Sequence, residues 1–578
     1  MIKLSDIKKS INLLSENERK KFFKIAILVM IMALFDLFGV ASILPFMSVV
    51  SNPDIINSNE YLSVIFERFE FESARNFLIA LGGGSLFILV FGNLIKSFTT
   101  YVLLKFGYSQ THYLSRRLLE HYLQQPYEYF LNKHSSAITN IVVSEVKQVV
   151  HSLFVPLLNL FSRSFSALFL VIMLIAVNPS LAITVVVVLG GAYLSIFYYL
   201  KKSVEKLGIE RTEINKNLFK VVSEIGGGVK LIKLMNKEEV YLDAFLKPSE
   251  RLATVHARNA VYMELPRHII EVIGFGGILL IVLFLVSSGA HADAISMAAF
   301  YAFAGYRLMP ALQTIYTALN KVRFTLSLVD VITDELKDNK QITPLTETSD
   351  KNIQFNDKLL LKNIHFTYKG ARDSSLSNIN IEIRKNEFLG IIGPTGSGKS
   401  TLIDILLGLL EPTSGNLSID NTKITKENIK SWQKQIGYVP QTIYLTDDTI
   451  TKNIAFGTSE ELIDIKKVHN AAKMAQIHDF IENQIKDGYE TLVGEGGVRL
   501  SGGQRQRIGI ARALYHDPEL IVFDEATSAL DDKTEQDLIE AVEQLFGKKT
   551  IVMIAHRLST LKSADRILKL ENGQITSG

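Results

Sequence analysis

No cysteine occurs anywhere in the chain, so a disulfide, a thiol nucleophile and a cysteine–zinc site are all excluded. A large excess of one charge is missing too. The 62 Lys and Arg against 59 Asp and Glu leave a formal net charge of +3, which lacks the basic footprint of a nucleic-acid binder. There is no internal repeat and no low-complexity segment. A cleavable leader is not expected, because the first apolar run is long and has no small-residue cleavage pattern.

Apolar residues, by contrast, make up 47% of the chain, and mean hydropathy is +0.20. That average conceals a strongly apolar first part and an ordinary globular last part. A bilayer-spanning helix needs about 20 mostly apolar residues. Six stretches qualify: 22–50, 76–104, 154–177, 181–200, 269–287 and 295–319. The third and fourth are separated by Asn178-Pro179-Ser180, a tight turn. Ahead of them, residues 1–21 are polar and basic. Ile2, Leu4, Ile7, Ile11 and Leu14 there have helical spacing, which reads as an amphipathic helix on the membrane surface.

Orientation follows from the basic residues of the connections. Lys and Arg number seven in residues 1–24, five in 105–150 and thirteen in 201–267. The opposite side has Arg68 and Arg75, outnumbered by acids. The N-terminus and both long connections are therefore expected in the cytoplasm, and the even number of spans leaves the rest of the chain there too. The long connections have helical periodicity and should prolong the membrane helices. Their turning points are expected at Gln125-Pro126-Tyr127-Glu128 and at Glu224-Ile225-Gly226-Gly227-Gly228. Residues 22–330 thus form a transmembrane domain, 331–351 a polar linker, and 352–578 a second domain of alternating strand-like and helix-like runs.

The second domain is organised around Gly393-Pro394-Thr395-Gly396-Ser397-Gly398-Lys399-Ser400-Thr401. An apolar run precedes this stretch and a helix-like run follows it, which is the setting of a GxxxxGK[ST] phosphate loop. Glycines let backbone N–H groups converge on phosphate oxygens, and the helix dipole adds positive potential. Lys399 is placed to reach the β- and γ-phosphates of ATP, and the Ser400 hydroxyl to ligate Mg²⁺. Leu520-Ile521-Val522-Phe523-Asp524-Glu525 reads as a buried strand that delivers Asp524 to the Mg²⁺. Glu525 follows on the other face of the strand end, where it could act on the attacking water. Leu500-Ser501-Gly502-Gly503-Gln504 opens another helix and makes a second anion site. Tyr368, after a strand-like run, suits adenine stacking, although a surface tyrosine fits that position equally.

Together these motifs resemble the nucleotide-binding domain of an ATP-binding-cassette (ABC) transporter. Three more segments fit that family's order: Tyr438-Val439-Pro440-Gln441, Ser528-Ala529-Leu530-Asp531 and Ile554-Ala555-His556-Arg557. The loop 491–497 is similar to the one that exporters carry just before LSGGQ. The resemblance implies that Tyr368 stacks on the base and residues 393–401 hold the triphosphate. It also implies that Ser400, Asp524 and Gln441 surround Mg²⁺, that His556 contacts the γ-phosphate, and that Glu525 acts on water. In the family, LSGGQ meets the nucleotide of the opposite subunit. One complete set per chain then implies a homodimer.

Six spans ahead of one such domain look like an ABC exporter (type IV) half-transporter. The implied fold is a membrane all-α six-helix transmembrane domain followed by a cytoplasmic α/β P-loop ATPase domain of the ABC type. The turns at 125–136 and 224–236 would be its coupling helices. The implied setting is the bacterial cytoplasmic (inner) membrane, multi-pass, with the N-terminus and ATPase domain cytoplasmic.

Cargo is read from ionisable residues inside spans, which are costly and usually face a cavity. Asp36, Lys96, Arg163 and Arg307 are the candidates. Three cations against one anion favour an anionic group such as phosphate or pyrophosphate. Snorkelling of Lys96 and Arg163, or pairing of Arg307 with Asp36, stays open. Tyr306-Arg307-Leu308-Met309-Pro310 and the overall layout are similar to bacterial flippases of lipid-linked oligosaccharides. That resemblance implies a membrane lipid or another lipid-linked, amphipathic cargo. A multidrug or lipid A exporter and an ATP-gated channel are the alternatives.

Overall fold

The computed structural model describes residues 4–577 except 43–44, 47–48, 51–52, 132, 178, 180–182, 184–185, 288–292, 338–352, 526–535, 537–538, 541 and 556. At several helical positions, Asp36 and Arg307 among them, only the backbone is described. The chain divides into two compact units: Met1–Leu123 with Lys133–Lys340, and Gln124–Asn132 with Gln341–Gly578.

The first unit is all helical. Its main elements are α1 (Leu4–Asn12), α2 (Glu16–Ala41), α3 (Ala74–Leu123), α4 (Val155–Val177), α5 (Gly191–Leu234), α6 (Glu238–Ser287) and α7 (Asp293–Lys337). A 50-residue helix such as α3 is about 75 Å long, against a hydrocarbon core of about 30 Å. The apolar runs are therefore segments of longer rods, as the periodicity of the connections implies. Among the described residues, Ala74–Leu123 and Ser135–Ile172 are long and apolar enough to cross a membrane. The apolar windows of the other four expected spans run into residues outside the description.

Within this unit α2 packs on α3 and α4, α4 on α7, and α5 on α6 and α7. Gly208 allows the last contact: a Cβ there would lie 2.3 Å from the Phe324 carbonyl oxygen. Beside it, the hydroxyls of Thr212 and Ser327 are 3.1 Å apart. One turn of π-helix, Asn140–Glu145, carries Glu145 into a buried network. Arg211 Nη1 donates to its carboxylate at 2.6 Å and Asn215 Nδ2 at 2.8 Å.

Two expectations change here. The glycines at 226–228 do not turn the chain; they lie inside α5. Each glycine costs only about 1 kcal/mol against alanine, and α5 keeps a buried face through Leu207, Arg211, Leu218 and Val221. The turn comes at Asn236, whose φ of 53° allows Lys237 N–H to reach back to Ile232 O at 3.0 Å. The N-terminal segment, expected on the membrane surface, is clasped by the bundle. Lys9 pairs with Asp330 of α7, Leu13 and Leu14 are buried, and Arg117 Nη1 donates to Leu13 O at 3.1 Å.

The second unit holds two sheets. One is antiparallel, in the order β2 (Leu376–Arg384), β1 (Lys358–Phe366), β4 (Ser414–Ile419), β5 (Thr422–Lys423). The other has the order β10 (Gln574–Ser577), β9 (Arg566–Glu571), β3 (Phe388–Ile392), β8 (Thr550–Ile554), β7 (Leu520–Asp524), β6 (Ile436–Val439). All its pairs are parallel except β9–β10. Strands β3, β7 and β8 are almost wholly apolar and buried, as central parallel strands covered on both faces must be. Only β8 separates β3 from β7, so their C-terminal loops open on one edge, where open α/β sheets bind ligands. Trp432, fully buried, donates its indole N–H to Leu406 O at 2.9 Å. It thereby anchors the end of helix α8 (Lys399–Leu406), which follows β3.

Candidate functional site

Strand β3 ends in the loop 393–398, and the loop's shape depends on its glycines. Gly396 and Gly398 have φ of +81° and +100°, which side-chain-bearing residues rarely adopt. A Cβ on Gly393 would lie 2.2 Å from Leu570 O. The Lys399 ammonium sits under the arch, donating to Gly393 O at 2.9 Å and Pro394 O at 3.0 Å. Ser397 is 3% exposed and its Oγ has no hydrogen-bond partner among the described residues. A cradle of left-handed glycines, a buried ammonium and an orphaned hydroxyl fits a polyphosphate. Thr401 is buried at the start of α8, and Ser400 is exposed beside it.

Across the sheet edge, Asp524 ends β7 and accepts from the Tyr438 hydroxyl of β6 at 3.3 Å. Burial pushes its carboxyl up; the Tyr438 hydrogen bond lowers it, Glu525 raises it and Lys399 lowers it. Glu525 does not continue the strand alternation. Its φ is 50°, its N–H reaches Ile554 O at 3.2 Å, and its carboxylate accepts from Gln441 Nε2 at 2.7 Å. A left-handed glutamate is uncommon and is the type of local strain that collects at functional sites.

Sequence reasoning missed Asp404. Burial, then the negative charge of Asp524, pushes its carboxyl up to about 6. The signal was available: an acid inside the otherwise apolar run of α8. Asp404, Asp524 and Glu525 give this edge a surplus of negative charge; oxygen donors of this kind are what a hard cation such as Mg²⁺ takes, but among the described residues no three acidic or histidine side chains converge on one point. A folded-state value above the ordinary 3.8 means that the native state binds the proton more tightly. The stabilisation is full at acid pH and is lost as pH rises through about 6. Asp404→Asn should therefore stabilise the metal-free second unit at pH 8 by about 1 kcal/mol after solvent screening. Thermal unfolding in a chelator, repeated near pH 4, checks this; there the two proteins should coincide.

Tyr368 is half-buried, with its ring edge-on to Phe366 at 4.8 Å and its hydroxyl 3.1 Å from Thr401 Oγ1. The aromatic ring is thus tied to the helix that follows the phosphate loop. Helix α9 (Gly502–Leu514) opens with a reciprocal cap. Ser501 Oγ accepts from Gln504 N–H at 3.3 Å, and Gln504 Oε1 from Ser501 N–H at 2.8 Å. Among the described residues, no hydrogen bond joins 500–504 to the phosphate loop. Asp531 and His556 lie outside the described residues, as do the side chains of Asp36 and Arg307.

Gln124–Asn132 belongs to this same unit. Its short helix Tyr127–Leu131 presents Glu128, whose Oε1 accepts from Lys369 N–H at 3.4 Å while Oε2 lies 3.8 Å from Lys369 Nζ. The Tyr127 phenol is pushed up by burial, then by Asp404 and Tyr368. This first turning point therefore sits within reach of the phosphate-loop helix and the tyrosine beside it.

In the first unit, Lys96 and Arg163 line one cavity of about 150 Å³ between α2, α3 and α4, together with Met32, Thr99, Asn159 and Ser162. The hydroxyls of Thr99 and Ser162 are buried and have no hydrogen-bond partner among the described residues. The sequence could not pair these residues, because they meet only through the packing of α3 on α4.

A family model described as "ABC transporter" matches residues 376–528, and one described as "ABC transporter transmembrane region" matches residues 30–309. The "ATP-dependent lipid A-core flippase" of Ralstonia nicotianae is 30% identical over 474 residues, covering 80% of this chain and 78% of its own. The protein of that name from Saccharophagus degradans is 31% identical over 468 residues, 80% of this chain and 77% of its own. Among solved structures, a bacterial Atm1-family ABC exporter with ATP bound superimposes with a TM-score of 0.75, over 97% of this chain and 94% of its own. At 22% identity that likeness concerns the fold.

Proposed function

Since the chain belongs to the ABC exporters, with a membrane domain and an ATPase domain in one polypeptide, we propose that two copies use ATP to move an anionic lipid from the cytoplasmic to the outer leaflet of a bacterial inner membrane. Hydrolysis-driven transport follows from the family itself. The observation that carries the anionic reading is the cavity shared by Lys96 and Arg163. Two cations and two buried hydroxyls line that cavity inside a membrane bundle, a combination of positive charge and hydrogen-bond donors that suits a phosphate or pyrophosphate.

At the sheet edge, Lys399 and the loop N–H groups hold the phosphates. Ser400, Asp524 and Gln441 are the groups that would hold Mg²⁺, which supplies charge neutralisation between the phosphates. Glu525 accepts a proton from the attacking water, and Gln441 fixes the carboxylate until it is needed. Ser501, Gly502, Gly503 and Gln504 of the second copy would close over the nucleotide, with His556 at the γ-phosphate and Asp531 among the residues that bind ATP. Closure driven by binding and released by hydrolysis then alternates the access of the bundle.

Two cargoes share the chemistry. A pyrophosphate-linked oligosaccharide lipid is favoured by the 306–310 segment, and a lipid A glycolipid by the names of the relatives. ATPase stimulation in proteoliposomes across pyrophosphate lipids, lipid A and cationic drugs separates them from each other and from a multidrug exporter. Alanine at both Lys96 and Arg163 should reduce stimulation by the anionic lipids about tenfold or more, since each charge-assisted hydrogen bond contributes roughly 1.5–3 kcal/mol. Equal loss with cationic drugs would refute the charge assignment, as would an unaltered response. Ion currents in planar bilayers would instead indicate a channel.

A further inference from the structure

We infer that Gly573, at the tip of the β9–β10 hairpin, is a positioning residue for ATP binding: its backbone N–H holds the Ser397–Gly398 peptide of the phosphate loop in the orientation that turns the Gly398 N–H towards a phosphate.

The hairpin is tight. Glu571 pairs with Gln574, so Asn572 and Gly573 alone make the turn. Their φ values are 46° and 74°, the left-handed pair of a type I′ turn, for which Asn-Gly is a preferred sequence. Hairpin tips usually meet solvent. Asn572 is exposed, but Gly573 is buried. It is buried against the phosphate loop. Gly573 N–H donates to Ser397 O at 3.0 Å, and Gly573 O accepts from Ser377 N–H of β2 at 2.8 Å.

Three stretches of backbone meet here with no room for a side chain. A Cβ on Gly573 would lie 2.7 Å from Ser375 O, and a Cβ on Gly398 would lie 2.7 Å from the same oxygen. Leu570, whose carbonyl crowds Gly393, belongs to β9 of this hairpin. The loop therefore leans on the hairpin at both of its ends.

In a planar trans peptide the C=O and the N–H point in opposite directions. With Ser397 O turned to the hairpin, Gly398 N–H is turned away from it. Pro394, Thr395, Gly396 and Ser400 are exposed, which makes the side away from the hairpin the open one. Hydrogen bonds within the loop and its helix fix the neighbouring peptide units. Ser397 N–H donates to Pro394 O at 3.2 Å, and Leu402 N–H to Gly398 O at 2.9 Å. The unit between them is held by Gly573. Gly398 stands at φ +100°, and a flip of that unit would take it to negative φ, which glycine populates about as readily. The residue that lets the loop arch is thus also free to turn its N–H from the ligand, and the hairpin removes that freedom. The inference rests on the reading that residues 393–401 hold the phosphates, and it is independent of the cargo.

The test is ATP affinity of the full-length protein in detergent, measured in a chelator by displacement of a fluorescent ATP analogue. Turnover at saturating ATP and Mg²⁺ is measured beside it. An ester in place of the amide between Asn572 and Gly573 removes the N–H and adds no bulk. It should weaken ATP and ADP binding about tenfold, the difference expected of one hydrogen bond to a charged group. Turnover at saturation should stay within about threefold of wild type, as when binding common to the ground and transition states is lost. Gly573→Ala should weaken binding similarly and also lower the unfolding temperature, because its Cβ meets Ser375 O. An ester variant that unfolds at a lower temperature but binds ATP like wild type would overturn the inference, as would reduced turnover with affinity unchanged. Lys399→Ala separates the two readings. If it binds ATP like wild type, the phosphates lie elsewhere and the inference falls with the loop. If it loses ATP while the ester variant keeps it, the loop stands and the role of the hairpin is overturned.

Discussion

Glu525→Gln is expected to lower ATP turnover by about 10²- to 10⁴-fold while leaving nucleotide binding intact, the range over which a positioned general base acts. The substitution preserves the shape of the side chain and the left-handed backbone at φ 50°. The amide oxygen can still accept from Gln441 Nε2, as the carboxylate does at 2.7 Å. Only the ability to take a proton is lost. Phosphate release should therefore collapse, ATP should remain bound, and translocation of the lipid should stop. Because ATP would no longer be consumed, the variant should also accumulate as a closed dimer on size-exclusion chromatography in ATP. Turnover within a few-fold of wild type would move the proton acceptor elsewhere. A variant that hydrolysed poorly but still transported would break the link between the two units' functions.

The second large effect concerns the first unit. Arg211 and Glu145 are 7% and 2% exposed and bonded at 2.6 Å. Arg211→Met leaves Glu145 with Asn215 and Asn140 as its polar neighbours, and no countercharge in the bond it loses. An uncompensated buried charge should destabilise the bundle by about 3–5 kcal/mol. The double variant Arg211→Met, Glu145→Leu should recover most of that loss, because a buried ion pair and an apolar pair of similar volume are often close to equal. Thermal unfolding of the full-length protein in one detergent compares all three. If the single variant unfolds like wild type, water reaches Glu145. If the double variant is as unstable as the single one, the pair owes its place to fit against Asn140 and Asn215.

How readily each feature could be read beforehand depended on how local it was. The phosphate loop was evident because seven residues in order contain the whole device: glycines able to take positive φ, then a lysine that folds back on carbonyls five and six residues before it. The capping box at Ser501 and Gln504 is equally local. Spans were evident because a membrane solvent selects on composition alone. The turn near 235 was misjudged for a related reason. Three successive glycines have the composition of a breaker, but the packing of α5 overrides a propensity cost of about 1 kcal/mol per residue, and Asn236 forms the left-handed cap instead.

Residue order alone sufficed for the architecture, a helical membrane part followed by an ATPase domain, since that depends on composition and on spacings of a few residues. Folding was required to bring Gln441 to Glu525, to set Asp404 beside Asp524, and to join Lys96 with Arg163. Each of those meetings joins different helices or strands. Their register comes from how side chains interdigitate across the whole unit, which no local periodicity encodes.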